Sequence, residues 1–406
     1  MTERRRKLLR FFAIMGPGIV VMLADTDVGS IITAAQSGAV WGYKLLPIQF
    51  ILIPILYVIQ ELTVRLGAVT GKGHGELIKE RFGKPWAWIA TSTLIVASTG
   101  ALITEMAGIG MIGTLVGIPE VLTVWGIVIV LSIIVLTGSY RSVERIAIIF
   151  GSAELIFIII AIWAHPNIGS IANEFTKIPF GNRNYLYLTA ANIGAVIMPW
   201  MIFYQQSAVV DKGLKSKDIK MSRWDTLIGA IVTQIIMSAV LVVTAATVGR
   251  TNPGQPLQNV QQIIMTLTPF IGHGAGELLL SAGIIGAGLV AAIVVSLAVA
   301  WGLGEVTGYS HSLADNPKKA PFFYITYISM LVFAGILLSI PNINLIGLSV
   351  SVQVMNALLL PIVLGFLYIL ALKALPKSYR LKGKKAFFVG SVVTLTCLFS
   401  VVAILI

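Results

Sequence analysis

The sequence predicts an all-α polytopic membrane protein of eleven transmembrane helices, arranged as an inverted 5+5 repeat with broken helices 1 and 6. Three observations carry this: the composition, the placement of basic residues, and two apolar segments that cannot run as unbroken helix. Of the 406 residues, 57% are hydrophobic and 11% charged, and the mean hydropathy is +0.91. Soluble chains carry roughly 25% charged residues, so most of this surface must meet lipid. Each crossing needs about 20 apolar residues, which leaves room for loops but not for a second folded domain. Residues 1–406 read as a single transmembrane domain.

The apolar runs place the spans near 12–38, 44–68, 87–116, 121–139, 144–164, 187–210, 225–248, 275–305, 321–340, 345–372 and 386–406. The repeats are then about 12–164 and 187–372, with an additional helix at 386–406. The first run follows Arg4, Arg5, Arg6 and Lys7, lacks a small-residue cleavage site and carries two aspartates, so it reads as a retained helix. Cys397 is the single cysteine, which excludes a disulfide framework and a thiolate metal cluster.

Charge placement supports the count. With the N-terminus in the cytoplasm and sides alternating, 25 of the 29 Lys and Arg residues fall inside. Only Lys44, Lys177, Arg183 and Arg250 fall outside. One missed helix would scramble that bias. The C-terminus is then expected outside, in a membrane of the bacterial inner-membrane type. The net charge of +12 orients the chain and meets anionic headgroups; it gives no reason to expect nucleic acid.

Two spans carry breaks. The first reads Gly16-Pro17-Gly18, then Asp25-Thr26-Asp27-Val28-Gly29-Ser30. The sixth reads Asn192-Ile193-Gly194-Ala195-Val196-Ile197-Met198-Pro199-Trp200, where Pro199 removes a donor and disfavours helix at Met198. Unwound backbone at mid-depth survives only where protein or a lined cavity shelters it. Their matching places in two blocks of five suggest inverted repeats with a solute site where the breaks meet. A carboxylate such as Asp27 inside the bilayer is costly and needs a cation, a proton or a basic partner. No Lys or Arg lies near the middle of any predicted span, so a carried cation or a proton is the simplest partner.

These residues resemble the Nramp family of proton-coupled divalent-metal transporters. Gly16-Pro17-Gly18 with Asp27-Val28-Gly29-Ser30 is similar to its first helix, whose signature is Asp-Pro-Gly-Asn eleven residues after the Gly-Pro. Trp41-Gly42-Tyr43 and the run from Gln60-Glu61 to Gly71-Lys72 resemble its second helix. Thr104-Glu105-Met106-Ala107 is similar to its third, Ala195-Val196-Ile197-Met198-Pro199 to its sixth, and Gln353 with Pro361 to its tenth. The resemblance implies a leucine-transporter-like fold and secondary transport of manganese or iron by alternating access. By position it implies Asp27, Ser30, the Ala195 carbonyl, the Met198 thioether and Gln353 as metal ligands. The chain departs from the pattern: Val28 replaces proline, Ser30 replaces asparagine, Trp200 stands for a histidine and Gly108 for a second acid. One extra residue separates Pro199 from Ser207. The missing histidine and acid belong to the family's proton route, which makes this a divergent, Nramp-related branch with its proton coupling in doubt.

The residues themselves agree in part. A carboxylate, a hydroxyl, a carbonyl and a thioether form a mixed shell, and the thioether favours softer transition metals. Without Met198 the remaining oxygens would suit magnesium, and the resemblance extends to a magnesium-carrying branch related to Nramp that lacks this thioether, so a magnesium transporter of that branch is the nearest alternative; a single methionine is commonly packing. Asp25 and Asp27 would point roughly 200° apart on one helix, so both face one ion only if the break begins between them. Asp25, Glu61, Glu105 and Trp200 are candidates for a proton-handling or supporting role. For Glu61 and Glu105 the competing reading is pairing with helix ends or polar neighbours; Glu154 and Glu305 are further intramembrane acids. His74, His165, His273 and His311 lack metal-ligand spacing and read as solvated or interfacial. Gly283 to Gly288 and Gly302 to Gly304 read as helix-packing surfaces. No nucleophile–base pair or nucleotide loop is visible, so neither enzyme activity nor a resident cofactor is expected. The expected partners are a divalent cation and the bilayer. The oligomeric state stays open, with a monomer the simplest case. Two readings remain beside the metal one: an amino acid or amine carrier on the same fold, and a membrane sensor with a vestigial site.

Overall fold

The computed structural model describes residues 15–137, 139–258, 260–267, 273–340 and 344–405. The basic arm from Arg4 to Arg10, the beginning of the first expected span and the His273 side chain lie outside them. Every regular element among the described residues is helical, and nine helices are long and apolar enough to cross a membrane.

In chain order, α1 (Pro17–Asp25) and α2 (Val28–Trp41) are the two halves of the first interrupted segment. Gly42, at φ 59°, ends α2 before a 3-10 turn and α3 (Leu46–Thr70). Then come α4 (His74–Phe82), α5 (Lys84–Leu115), α6 (Glu120–Leu136), α7 (Tyr140–Ser152), α8 (Ile156–Trp163) and α9 (Ile168–Phe175). The second interrupted segment is α10 (Arg183–Val196) and α11 (Pro199–Asp211). They are followed by α12 (Ile219–Ala246), α13 (Val260–Leu267), α14 (His273–Thr307), α15 (Pro321–Leu338), α16 (Leu345–Lys373) and α17 (Gly383–Leu405).

Local chemistry sets the ends. Pro17, Pro85, Pro199 and Pro321 stand in first helical turns, where the missing N–H costs nothing. Asn182 Oδ1 accepts from the Asn184 and Tyr185 amides at 2.9 and 3.2 Å, which starts α10 four residues before the apolar run does. Short helices α4, α9 and α13 fill connections that the span reading left as loops.

The interrupted segments sit at the centre. Segment α2 packs along α12, α10 along α16, and α14 along α5. Close approach depends on glycine at Gly194, where an added Cβ would sit 1.8 Å from the Gln353 backbone oxygen. The glycines of α14 are packing surfaces as well: a Cβ at Gly286 would lie 2.4 Å from the Phe150 carbonyl. Outward, Leu122, Ile129, Ile133, Phe387 and Leu395 are exposed, a lipid-facing surface rather than a water-facing one.

Connections gather in two groups. At one end, Arg65 donates to the Tyr379 carbonyl, Arg223 pairs with Glu61 at 2.6 Å, Lys212 pairs with Glu144 at 2.6 Å, and Glu305 accepts from the Gly75 amide at 2.8 Å. At the other end, Tyr43 N donates to Glu174, Tyr185 Oη to the Lys44 carbonyl, and Leu257 N to Gln36. One expectation is corrected here. His74 is fully buried, hydrogen-bonded through Nδ1 to Gln206 at 3.1 Å and edge-on to Phe203. Burial pushes its imidazole down to about 4, so it is a neutral packing group and not a solvated one.

Candidate metal site

The first break falls between the paired aspartates. Asp25 is the last residue of α1, Thr26 has φ −80° and ψ 44°, and Asp27 is extended at φ −69° and ψ 169°. The two carboxyl groups are therefore released from helical spacing. Asp27 Oδ1 accepts from the Ser30 amide at 2.6 Å and caps α2. Asp27 Oδ2 and both Asp25 oxygens are buried without a hydrogen-bond partner among the described residues.

The second break is Ile197-Met198, both extended, at φ −125° and −107°. Pro199 then opens α11. The two breaks are tied directly: Ser30 Oγ donates to the Ala195 carbonyl at 2.9 Å. Asn192 reinforces the join, donating to Ser37 Oγ at 2.8 Å while accepting from Gln49 Nε2 at 2.7 Å. Gln353 reaches in from α16. Its Nε2 lies 2.7 Å from where a Cβ on Gly29 would stand, and that same point is 3.5 Å from Asp27 Oδ1. Met198 and Trp200 are both fully buried beside Pro199, and Trp200 Nε1 has no hydrogen-bond partner among the described residues.

So Asp27, Ser30, Ala195 and Gln353 converge at the crossing of the breaks, with Met198 in the extended link. Glu105 also reaches it: Oε2 accepts from the Val28 amide at 2.9 Å, on the free N-terminus of α2. Glu61 does not. Its carboxylate is held by Arg65 at 2.5 Å and Arg223 at 2.6 Å, near the basic end of the molecule. Glu154 is fully buried within electrostatic reach of Asp25, Asp27 and Glu105. No salt bridge among the described residues reaches any of these four acids. No group of three or more His, Cys, Asp or Glu side chains among the described residues could hold a metal. Any metal here would take at most two such side chains, with neutral donors completing its shell.

Two features escaped the sequence reading. Asp225 of α12 accepts from the amides of Gly16, Gly18 and Ile19 at 3.2, 2.8 and 3.2 Å. It caps α1 as Glu105 caps α2, so each half-helix has a carboxylate at its positive end. The other is Asn356, which donates to Gln353 Oε1 at 2.9 Å and fixes that amide's orientation. Its signal was the spacing of three from Gln353, which puts both on one face.

Two departures from the Nramp pattern fit each other. A Cβ on Gly108 would stand 2.4 Å from Val28 Cγ1. Valine at 28 occupies the space in which any side chain at 108 would begin.

The chain is similar to a divalent metal cation transporter MntH of Yersinia enterocolitica, at 27% identity over 308 residues and 73% of each chain. The MntH of Klebsiella pneumoniae is 28% identical over 298 residues, 70% of each. Among solved structures, the manganese transporter of Eremococcus coleocola superposes with a TM-score of 0.80 at 18% identity, covering 100% of this chain and 88% of that one. The fold extends to transporters of other kinds. A Na+-coupled sialic acid symporter gives a TM-score of 0.63 at 14% identity, over 96% of this chain and 89% of that one. The architecture is thus all-α, polytopic and leucine-transporter-like. The model of the natural resistance-associated macrophage protein-like family matches residues 18–406, and the chain belongs to the Nramp family.

Proposed function

We propose that this protein is a secondary transporter of divalent metal ions of the manganese and iron class, working by alternating access. One observation carries the proposal. The buried Asp27 carboxylate keeps one oxygen without a partner among the described residues at the crossing of the two breaks, where a visiting cation would complete it. The relatives' description as divalent metal cation transporters supports the same cargo. Asp27, Ser30, the Ala195 carbonyl, Met198 and Gln353 are the proposed ligands. Glu105, Asp25 and Trp200 surround them, and Glu61 stays with its arginine pair, away from them. The Ser30–Ala195 hydrogen bond holds these two groups together, and each oxygen keeps a lone pair that a cation can use.

In the finer architecture we propose, eleven crossings form an inverted 5+5 repeat. The 43-residue stretch Val28–Thr70 supplies part of the first crossing and all of the second, and Glu120–Leu136, at 17 residues, is the fourth. The separation of the two groups of connections supports this alternation. The charge bias supports a cytoplasmic N-terminus and an outer C-terminus.

Saturable manganese uptake into proteoliposomes tests the function, and no binding or flux of manganese would defeat it. The Met198→Ala variant is expected to keep transport but to lose roughly tenfold in preference for manganese over magnesium and calcium, because only oxygen donors remain. Unchanged competition by those ions would remove Met198 from the shell. Uptake is also expected to respond little to an imposed pH gradient, since Trp200 and Gly108 replace the groups of the family's proton route and Val28 fills the space at 108. Stoichiometric proton co-transport, read with a pH-sensitive dye, would contradict that.

A further inference from the structure

Glu154 takes no part in the proposed cargo site. It is the middle residue of a 3-10 turn, Ala153–Leu155, that interrupts the crossing formed by α7 and α8. A turn of this kind inside a helix often marks a functional position. Glu154 is fully buried. Gly151 lies three residues before it, on the same face, and a Cβ there would stand 2.8 Å from Leu23 Cβ. The end of α1 therefore packs on the face that carries Glu154. The Thr26 hydroxyl is within reach of the Glu154 carboxyl but is engaged with Thr233 Oγ1 of α12 at 2.5 Å. Both Glu154 oxygens are left without a hydrogen-bond partner among the described residues.

Charge and polarity both call for a cation at this place. Asp25, Asp27, Glu105 and Glu154 are buried acids without a salt bridge among the described residues, and a divalent cargo at Asp27 brings two positive charges to the four. Helix α1 ends at Asp25, so its last carbonyls, which lack helical partners, add the negative end of its dipole. A proton alone answers poorly. A neutral carboxyl group has an O–H to donate and an oxygen to accept, and leaving both unmet in a buried place is costly. Half-helix ends with unwound backbone beside them are where discontinuous membrane helices hold sodium ions or protons.

We propose that Glu154, the Thr26 hydroxyl and the last carbonyls of α1 form a second cation site, for sodium, apart from the cargo ligands. One carboxylate matches one monovalent charge, and hydroxyl and carbonyl oxygens are the donors that hard cations take. Thr26 keeps a lone pair for the ion while hydrogen-bonded to Thr233, so Thr233 is a positioning residue that acts through Thr26. The site lies in the first break, one residue from Asp27, yet it needs no group that the cargo uses.

The test uses the purified full chain in detergent, without manganese and at fixed pH, with radioactive sodium as the probe and choline holding the ionic strength constant. Saturable sodium binding is expected, and an equal concentration of potassium is expected to displace it poorly. Glu154→Gln is expected to weaken binding at least about tenfold, the lower range for disturbing even the groups behind a cation's ligands, with an unchanged circular dichroism spectrum and elution volume. Thr233→Val is expected to weaken it about tenfold and Thr233→Ser to restore it, because only the hydroxyl is required. Should Glu154→Gln fail to fold, that pair decides alone. Asp27→Asn is expected to keep saturable sodium binding while losing manganese, so the two sites fail separately. No saturable binding, equal displacement by potassium, or undiminished binding by Glu154→Gln or Thr233→Val would each overturn the proposal.

Discussion

Asp27→Asn is expected to abolish manganese uptake and to weaken manganese binding by at least about a hundredfold, the upper range for disturbing even the groups that support a metal's ligands, while the fold survives. The substitution isolates the charge. Asparagine caps helices about as well as aspartate, so its side-chain oxygen can still accept from the Ser30 amide, at 2.6 Å in the parent. What disappears is a buried negative charge whose second oxygen has no partner among the described residues. Relief of that burial, worth about 2.5–3.5 kcal/mol on insertion scales, is expected to leave the variant at least as resistant to heat as its parent. A variant that transports normally would exclude Asp27 from the cargo site. One that misfolds would show that the carboxylate holds structure rather than cargo.

Gly194→Ala is the second large effect. A single methyl group there would stand 1.8 Å from the Gln353 backbone oxygen and 2.8 Å from the Ala357 amide nitrogen. Neither is a flexible side chain that could swing away, so α10 and α16 must separate. Overpacking of this kind costs about 1–3 kcal/mol and sometimes more; against rigid backbone the upper end is expected. Separation also draws Gln353 away from Asp27, so transport should fall more than stability does. Gly365→Ala on α16, the helix that carries Gln353, is the control. Nothing lies within 4 Å of its added Cβ, and alanine's helix preference should make it neutral or more stable by up to about 1 kcal/mol. Thermal denaturation and manganese uptake of both variants check the contrast. Equal behaviour would mean that the contact at Gly194 yields easily.

The sequence makes the helices legible because a crossing helix must satisfy its own backbone within one long apolar run. Pro199 located the second break to within a residue, since proline acts on its own neighbours. The Asp25–Thr26–Asp27 break was legible for the related reason that short polar side chains compete locally with helix. Long-range choices were not legible. Nothing near Gly16 says that Asp225, more than 200 residues away, caps that end, and nothing near Glu61 says that Arg223 will hold it instead of leaving it to a pathway. His74 sits in a basic loop by sequence, yet the return of α11 beside it brings Gln206 and Phe203 over the ring. The mutual fit of Val28 and Gly108 was equally hidden, because each looked like a separate departure from the family pattern.

In the proposed function one divalent ion is held where the two interrupted helices cross. Diffraction at the manganese absorption edge, from crystals grown with manganese, tests it most directly. One anomalous peak is expected, bonded to the Asp27 carboxylate, with the Ala195 carbonyl and Met198 sulfur around it. A bound manganese found only elsewhere, with Asp27 still turned wholly onto Ser30, would contradict it.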